Sequence, residues 1–114
     1  MTAEQFRRVA LSLLGSEERA HMRHPDFRVN GKIFATLGYP DSNWGMVKLR
    51  PEQQGKFVQT DPGVFSPAKG AWGRRGYTSV YLKAAKVALL REAMALAWRN
   101  VERKRMMEQL GSRS

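Results

Sequence analysis

The chain has 114 residues, no cysteine, and 20 Lys plus Arg against 10 Asp plus Glu, for a formal net charge of +10. Without cysteine there are no disulfides, thiolate metal sites, iron–sulfur clusters or cysteine nucleophiles, so packing must hold the fold. A hydrophobic content of 42% suits one globular domain, and Arg, Glu, Trp and Asn interrupt even the richest apolar stretch, Val87 to Val101, so no membrane span is expected.

Thr2 with Gln5 forms a capping-box signature, and Phe6, Val9, Ala10, Leu13 and Leu14 follow at helical spacing, which predicts a first helix over Ala3 to Leu14. Gly15 and Ser16 stop it, and Glu18 to Met22 reads as a short strand. Phe27 to Val29, then Asn30-Gly31, then Lys32 to Leu37 predicts a β-hairpin, because Asn-Gly tolerates positive φ at both central positions of a type I′ turn. Strict alternation on the returning strand would place Ile33, Ala35 and Leu37 on one face and Lys32, Phe34 and Thr36 on the other.

Gly38 to Asn43 is a loop, and Trp44 to Leu49 returns as the next strand. Pro51 and Glu52 suit a helix start, giving a second helix over Pro51 to Gln59. Asp61-Pro62-Gly63 turns into a short strand, Val64 to Ser66, closed by Pro67. Ala68 to Gly76 is Gly-rich and basic, a loop by composition, before Tyr77 to Leu82 resumes alternation with Tyr77, Ser79 and Tyr81 on one face. A last helix runs from Ala84 to Gln109 with Val87, Leu90, Met94, Ala97 and Val101 inward, and a tail from about residue 110 frays. Phe6, Trp44, Trp98 and the methionines are assigned to packing.

These elements make a single α+β domain over residues 1–114. It is a two-layer sandwich: an antiparallel sheet with the N- and C-terminal helices on one face and a short helical insertion. The other sheet face is open and carries residues such as Lys32, Phe34, Thr36, Lys48, Tyr77 and Tyr81.

The stretch His24-Pro25-Asp26-Phe27-Arg28-Val29 running into Gly31-Lys32-Ile33-Phe34-Ala35 resembles the MmcQ/YjbR family of small bacterial proteins. The resemblance covers Thr2 to Val101, with Trp44 to Leu49, Pro51 to Val58, Trp72 and Thr78-Ser79-Val80 at family-like places. It implies a fold similar to bacterial frataxin of the CyaY type, and DNA binding through a double-wing arrangement of hairpins. Two departures both add positive charge: Arg74-Arg75-Gly76 after Trp72, and Lys83-Ala84-Ala85-Lys86 before the last helix.

Between Asp61 and Glu92 every charged residue is basic: Lys69, Arg74, Arg75, Lys83, Lys86 and Arg91. Glycines at 70, 73 and 76 let backbone approach a phosphate, and Trp72 either stacks on an unpaired base or folds back over the core edge. Arg28 and Lys32 flank the hairpin tip and either contact phosphates or simply solubilise it. Arg99, Arg103, Lys104 and Arg105 suit the negative end of the last helix. His21, His24 and Asp26 are too few to make a metal site, and Ser16, His24 and Asp26 lack the elbow a catalytic triad needs. No Gly-x-Gly-x-x-Gly or P-loop supports a nucleotide cofactor, so no cofactor or metal is expected.

The expected function is a non-enzymatic nucleic-acid-binding module, DNA foremost, using Arg28, Lys32, Lys69, Trp72, Arg74, Arg75, Lys83 and Lys86. The chain is expected to be cytoplasmic, without a secretory signal or membrane partner, and a monomer or weak dimer. The alternative is a protein-interaction adaptor whose open sheet face meets an acidic partner or a second copy. A third reading is an enzyme for a small anionic substrate, with its pocket beside Trp72.

Overall fold

A computed structural model of the chain describes residues 1–112, leaving aside the side chains of Arg105 and Ser112. The elements are α1 (Ala3–Leu11), β1 (Ser16–His21), β2 (His24–Val29), β3 (Lys32–Leu37), β4 (Trp44–Lys48), α2 (Pro51–Thr60), β5 (Phe65–Pro67), α3 (Ala71–Arg74), β6 (Tyr77–Tyr81), a 3-10 turn (Leu82–Ala84) and α4 (Val87–Ser112). The strands form one antiparallel sheet in the order β1-β2-β3-β4-β6-β5. Helices α1 and α4 pack on one face of it and on each other, the α+β two-layer arrangement expected from the sequence.

The core lies between those layers. Phe6 of α1 meets Phe27 of β2 with ring centroids 6.0 Å apart, and Phe34, Val47 and Val80 of the sheet close on Leu90, Ala93, Met94 and Ala97 of α4. Phe57 of α2 covers the β5 edge, its ring 5.1 Å from Phe65. At the start of the chain, Thr2 Oγ1 accepts from the Gln5 N–H (3.1 Å) and Gln5 Oε1 from the Thr2 N–H (2.9 Å), the reciprocal cap read from the sequence.

Several boundaries differ from the periodicity. Helix α1 stops at Leu11, because Ser12 turns its hydroxyl back onto the Val9 carbonyl (2.7 Å) and ends the helical run. Leu14, expected on the buried face, is therefore exposed, while its carbonyl accepts the Trp98 indole N–H at 2.9 Å. Strand β2 begins at His24 and pairs along its whole length with β1, so a first hairpin precedes the expected one. Its two-residue connection is Met22-Arg23, both at positive φ (48° and 69°), in residue types that give no turn signal. The second hairpin turns at Asn30 (φ 53°) and Gly31 (φ 80°) as the Asn-Gly pair requires.

Strand β3 departs most from strict alternation. Phe27 pairs with Ala35 and Arg28 with Ile33, so Phe34 is an extra residue in a β-bulge. The bulge breaks strict alternation. Phe34, expected on the open face, is fully buried, and Lys32 turns to α4, where its Nζ lies 2.8 Å from Glu108 Oε2. Ile33, expected inside, lines the open face with Thr36, Met46, Lys48, Tyr77 and Ser79. Trp44 also belongs to that open face, against Tyr81 at 5.1 Å, and Met22, Met106 and Met107 are exposed, so the assignment of these side chains to the core does not hold. Within the expected loop, Ala71–Arg74 forms the single turn α3. Val87, placed on the buried stripe of the last helix, is exposed. The fraying expected from about residue 110 is met by helix through Ser112, and Arg113 and Ser114 lie outside the described residues.

Candidate nucleic-acid interface

At one end of the sheet β2 finishes, β3 begins, β4 finishes and β6 begins, and the second half of α4 passes alongside. These elements enclose a cleft of about 680 Å3. The β2–β3 hairpin contributes Arg28 and Lys32, the end of β4 contributes Lys48 and Arg50, the turn before β6 contributes Arg75, and α4 contributes Arg103 and Lys104. No carboxylate lines it among the described residues.

Hydrogen bonds hold the walls in place. Asn100 on α4 donates through Nδ2 to the Lys48 carbonyl (3.2 Å) and to Gln53 Oε1 (2.8 Å), and Gln53 Oε1 also accepts the Arg50 N–H (3.0 Å). Gln54 donates to the Gly73 and Tyr77 carbonyls at 3.1 and 2.9 Å, fixing α3 and β6 against α2. Asn30 Nδ2 donates to Glu102 Oε2 at 2.7 Å, which with the Lys32–Glu108 pair clasps the hairpin tip to α4. The Lys32 hydrogen bond also holds the Glu108 carboxyl below its ordinary range.

The cations differ in what they are already doing. Arg28 grips Asp26 with Nε at 2.7 Å and Nη2 at 3.0 Å, Lys32 is paired with Glu108, and Arg50 lies 3.1 Å from Glu52. Lys48, Arg75, Arg103 and Lys104 make no ion pair among the described residues. Lys48 instead stands 5.0 Å over the Tyr77 ring, and Arg75 stands 5.3 Å over Trp72. Trp72 stacks on Tyr77 at 5.2 Å with planes 14° apart, so the four side chains form one cation–aromatic ladder. Trp72 packs on the outer side of the sheet, against Tyr77, and stays 55% exposed.

Of the residues singled out in the sequence, the structure brings Arg28, Lys32 and Arg75 into this cleft and places Lys69 and Trp72 on the adjoining open face. Arg74 is exposed on α3 and lines neither surface. Lys83 and Lys86 follow the other end of β6, where Tyr81 pairs with Trp44, about 17 Å of strand away from the cleft. Lys48, Arg50, Tyr77, Arg103 and Lys104 were not assigned to the site in the sequence. The spacing of Asn100, Arg103, Lys104 and Met107 does mark one helical face, though nothing local says what that face meets. Arg99 lines neither surface, and the Arg105 side chain lies outside the described residues.

Among the described residues Asp26 is the one fully buried charge. Arg28 holds its carboxyl below the ordinary value of 3.8 through their hydrogen bonds, against the opposing effect of burial, and His21 Nδ1 adds a 2.7 Å contact to Oδ2. Because its folded-state value is lowered, Asp26 contributes stability that is complete above the ordinary carboxylate value and is lost as pH falls through the lowered one. Asp26→Asn turns an amide N–H2 toward a guanidinium that only donates. It is expected to cost about 1–3 kcal/mol and to flatten the acid side of the pH–stability curve, read by urea titration between pH 3 and 7. Among the described residues no three His, Asp or Glu side chains gather as metal ligands.

The comparisons with known proteins agree with this architecture. A structure of the Deinococcus radiodurans protein DR2400, of family-model domain DUF419, is similar to the chain with a TM-score of 0.71 at 19% identity, covering 85% of this chain and 75% of that one. No curated protein matches the chain. No helix among the described residues is long and apolar enough to cross a membrane. The YjbR family model matches residues 11–100, from the end of α1 through the strands to the middle of α4, and the chain belongs to the YjbR family.

Proposed function

We propose that the chain is a non-enzymatic nucleic-acid-binding module, with DNA the first ligand to test, and that its phosphate contacts are made in the basic cleft. The observation that carries this reading is the convergence of cations from the hairpin, β4, the turn before β6 and α4 on one concave wall that no carboxylate lines among the described residues. Like charges held this close repel one another, and an anion removes that cost when it binds. Arginine forks match phosphate oxygens in pairs, and fixed positions on helix and strand reduce the ordering needed. The clasped hairpin argues against a flexible wing: Arg28 and Lys32 belong to the wall, with their charges shared with Asp26 and Glu108. A cytoplasmic location accompanies this reading, since nucleic acid is at hand there.

The test is fluorescence anisotropy with short labelled oligonucleotides over a salt series. If Lys48, Arg75, Arg103 and Lys104 each neutralise one phosphate, log K against log salt has a slope of about −3.6 for duplex or about −2.8 for a single strand. No binding of either probe at ~50 mM salt removes the proposal, because phosphate-driven binding is strongest when salt is low.

A further inference from the structure

We infer that the strand this surface takes is unpaired, its bases lying on the open face of the sheet while its phosphates follow the cleft; the inference rests on the nucleic-acid reading above. Three observations carry it.

First, the open face is an aromatic stripe that begins at the cleft. Tyr77 and Tyr81 point to the same side of β6, four residues and so about 13 Å apart. Each has a second ring beside it, Trp72 stacked on Tyr77 and Trp44 tilted 47° against Tyr81. Met46 and Ser79, paired across β4 and β6, fill the interval. Second, this groove, of about 780 Å3, shares Ile33, Lys48 and Tyr77 with the cleft, so a chain lying on one surface passes to the other without crossing a barrier. No carboxylate lines it among the described residues, and Lys48 and Lys69 stand at its cleft-side edge. Third, the element that would read a duplex is not free: the hairpin tip is tied to α4 through Asn30–Glu102 and Lys32–Glu108, and the cations line a hollow.

Those features suit different forms of nucleic acid unequally. A duplex keeps its bases stacked on each other and offers a protein its phosphates and groove edges, so outward-facing rings gain nothing from it. An unpaired strand presents π-faces that stack on aromatic side chains whatever the base, and an exposed antiparallel sheet holds two or three bases in this way; here Arg75, which stands over the Trp72 ring, swings off it onto a phosphate as a base takes its place. The cations distributed along the cleft answer more phosphates than one nucleotide carries.

The experiment compares labelled dT10 with a duplex of equal phosphate number at one salt concentration, for the parent chain, Trp72→Ala, Trp72→Phe and the double variant Arg103→Glu/Lys104→Glu. The parent is expected to bind dT10 at least about 10-fold more tightly than the duplex, and Trp72→Ala to lose about 10- to 100-fold on dT10 while its duplex affinity moves less than about twofold. Trp72→Phe keeps a stacking ring and is expected to retain most of the affinity, and oligo(rU) binding supports the same inference because stacking and phosphate contacts are indifferent to the sugar. Trp72 lies outside the core, so Trp72→Ala loses its contacts with Tyr77 and Arg75 but is expected to stay folded, as a cooperative melting transition checks. Equal affinity for dT10 and duplex, or an equal loss on both in Trp72→Ala, overturns the unpaired strand while leaving nucleic-acid binding standing. Competition by dTMP as effective as dT10 at equal nucleotide concentration overturns it in favour of a mononucleotide. Failure of every probe to bind at ~50 mM salt is the separate outcome that removes the underlying reading.

Discussion

Gly76→Ala is expected to destabilise the fold by at least about 3 kcal/mol and to lower its melting temperature by roughly 12 °C, since for a domain near this length each kcal/mol moves the midpoint by about 4 °C. Gly76 has a φ of +104°, a conformation that a side chain makes costly, and it sits against the junction of β4 and α2. A Cβ there would lie 2.3 Å from the Leu49 carbonyl oxygen, 2.5 Å from the Arg50 carbonyl carbon and 2.7 Å from the Pro51 nitrogen. Those are backbone atoms, which cannot swing aside as a flexible side chain can, so the turn itself must move. That turn carries Arg75 on one side and Tyr77 on the other, and Tyr77 receives the Gln54 hydrogen bond that ties it to α2. The damage therefore reaches the site as well as the fold. Gly31→Ala is the matched comparison: its φ is +80°, yet nothing lies within 4 Å of the added carbon, so only the conformational cost of about 1–2 kcal/mol applies. Thermal scans of the two variants that coincide within the error would contradict the packing described at Gly76.

Reversing two charges on α4, Arg103→Glu with Lys104→Glu, is expected to weaken oligonucleotide binding by about 100-fold or more near 100 mM salt and to reduce the salt slope by about 1.4 to 1.8, two contacts at 0.7–0.9 each. Both residues line the cleft and are exposed, so the change falls on the ligand and not on the core. The control is Arg8→Glu with Arg91→Glu, which changes net charge equally from exposed positions on α1 and α4 that line neither the cleft nor the open face. If the chain attracts nucleic acid only through its overall charge of +10, the two double variants lose affinity alike. A loss confined to the cleft pair identifies a located contact, and unchanged melting curves for both pairs separate binding from stability.

The candidate site was visible in the sequence in pieces. The acid-free window around Trp72 marks the indole, Arg75 and Lys69, and the structure keeps them near one another on two adjoining surfaces, Arg75 in the cleft and Lys69 and Trp72 on the open face, because they are close in the chain and joined by short turns. It grouped Lys83 and Lys86 with them for the same reason, and there proximity in sequence misled: five strand residues of β6 intervene, and an extended chain carries them to the opposite end of the sheet. Lys48 on β4 and the adjacent pair Arg103 and Lys104 on α4 reach the cleft from positions more than 50 residues apart in sequence, and no local pattern records that meeting. Nor did charge counting distinguish cations already paired, such as Arg28 with Asp26, from those left available.

What the sequence determined by itself is what short-range chemistry governs. The Thr2–Gln5 cap, the Asn30-Gly31 turn, the Pro51 helix start and the apolar stripe through Leu90, Met94 and Ala97 are set by neighbours within a few residues, and the α+β layering follows from the order of those elements. Tertiary structure decided the rest. A bulge at Phe34 sends that ring into the core and Lys32 toward α4, although alternation along β3 assigns both to the outer face, since burying a phenyl ring in the core beneath α4 outweighs an unbroken ladder. The meeting of four elements at one end of the sheet, which turns a diffuse positive charge into a cleft, is likewise a product of packing, because contacts between distant segments are fixed by where the core closes and not by the residues that end up facing each other across it.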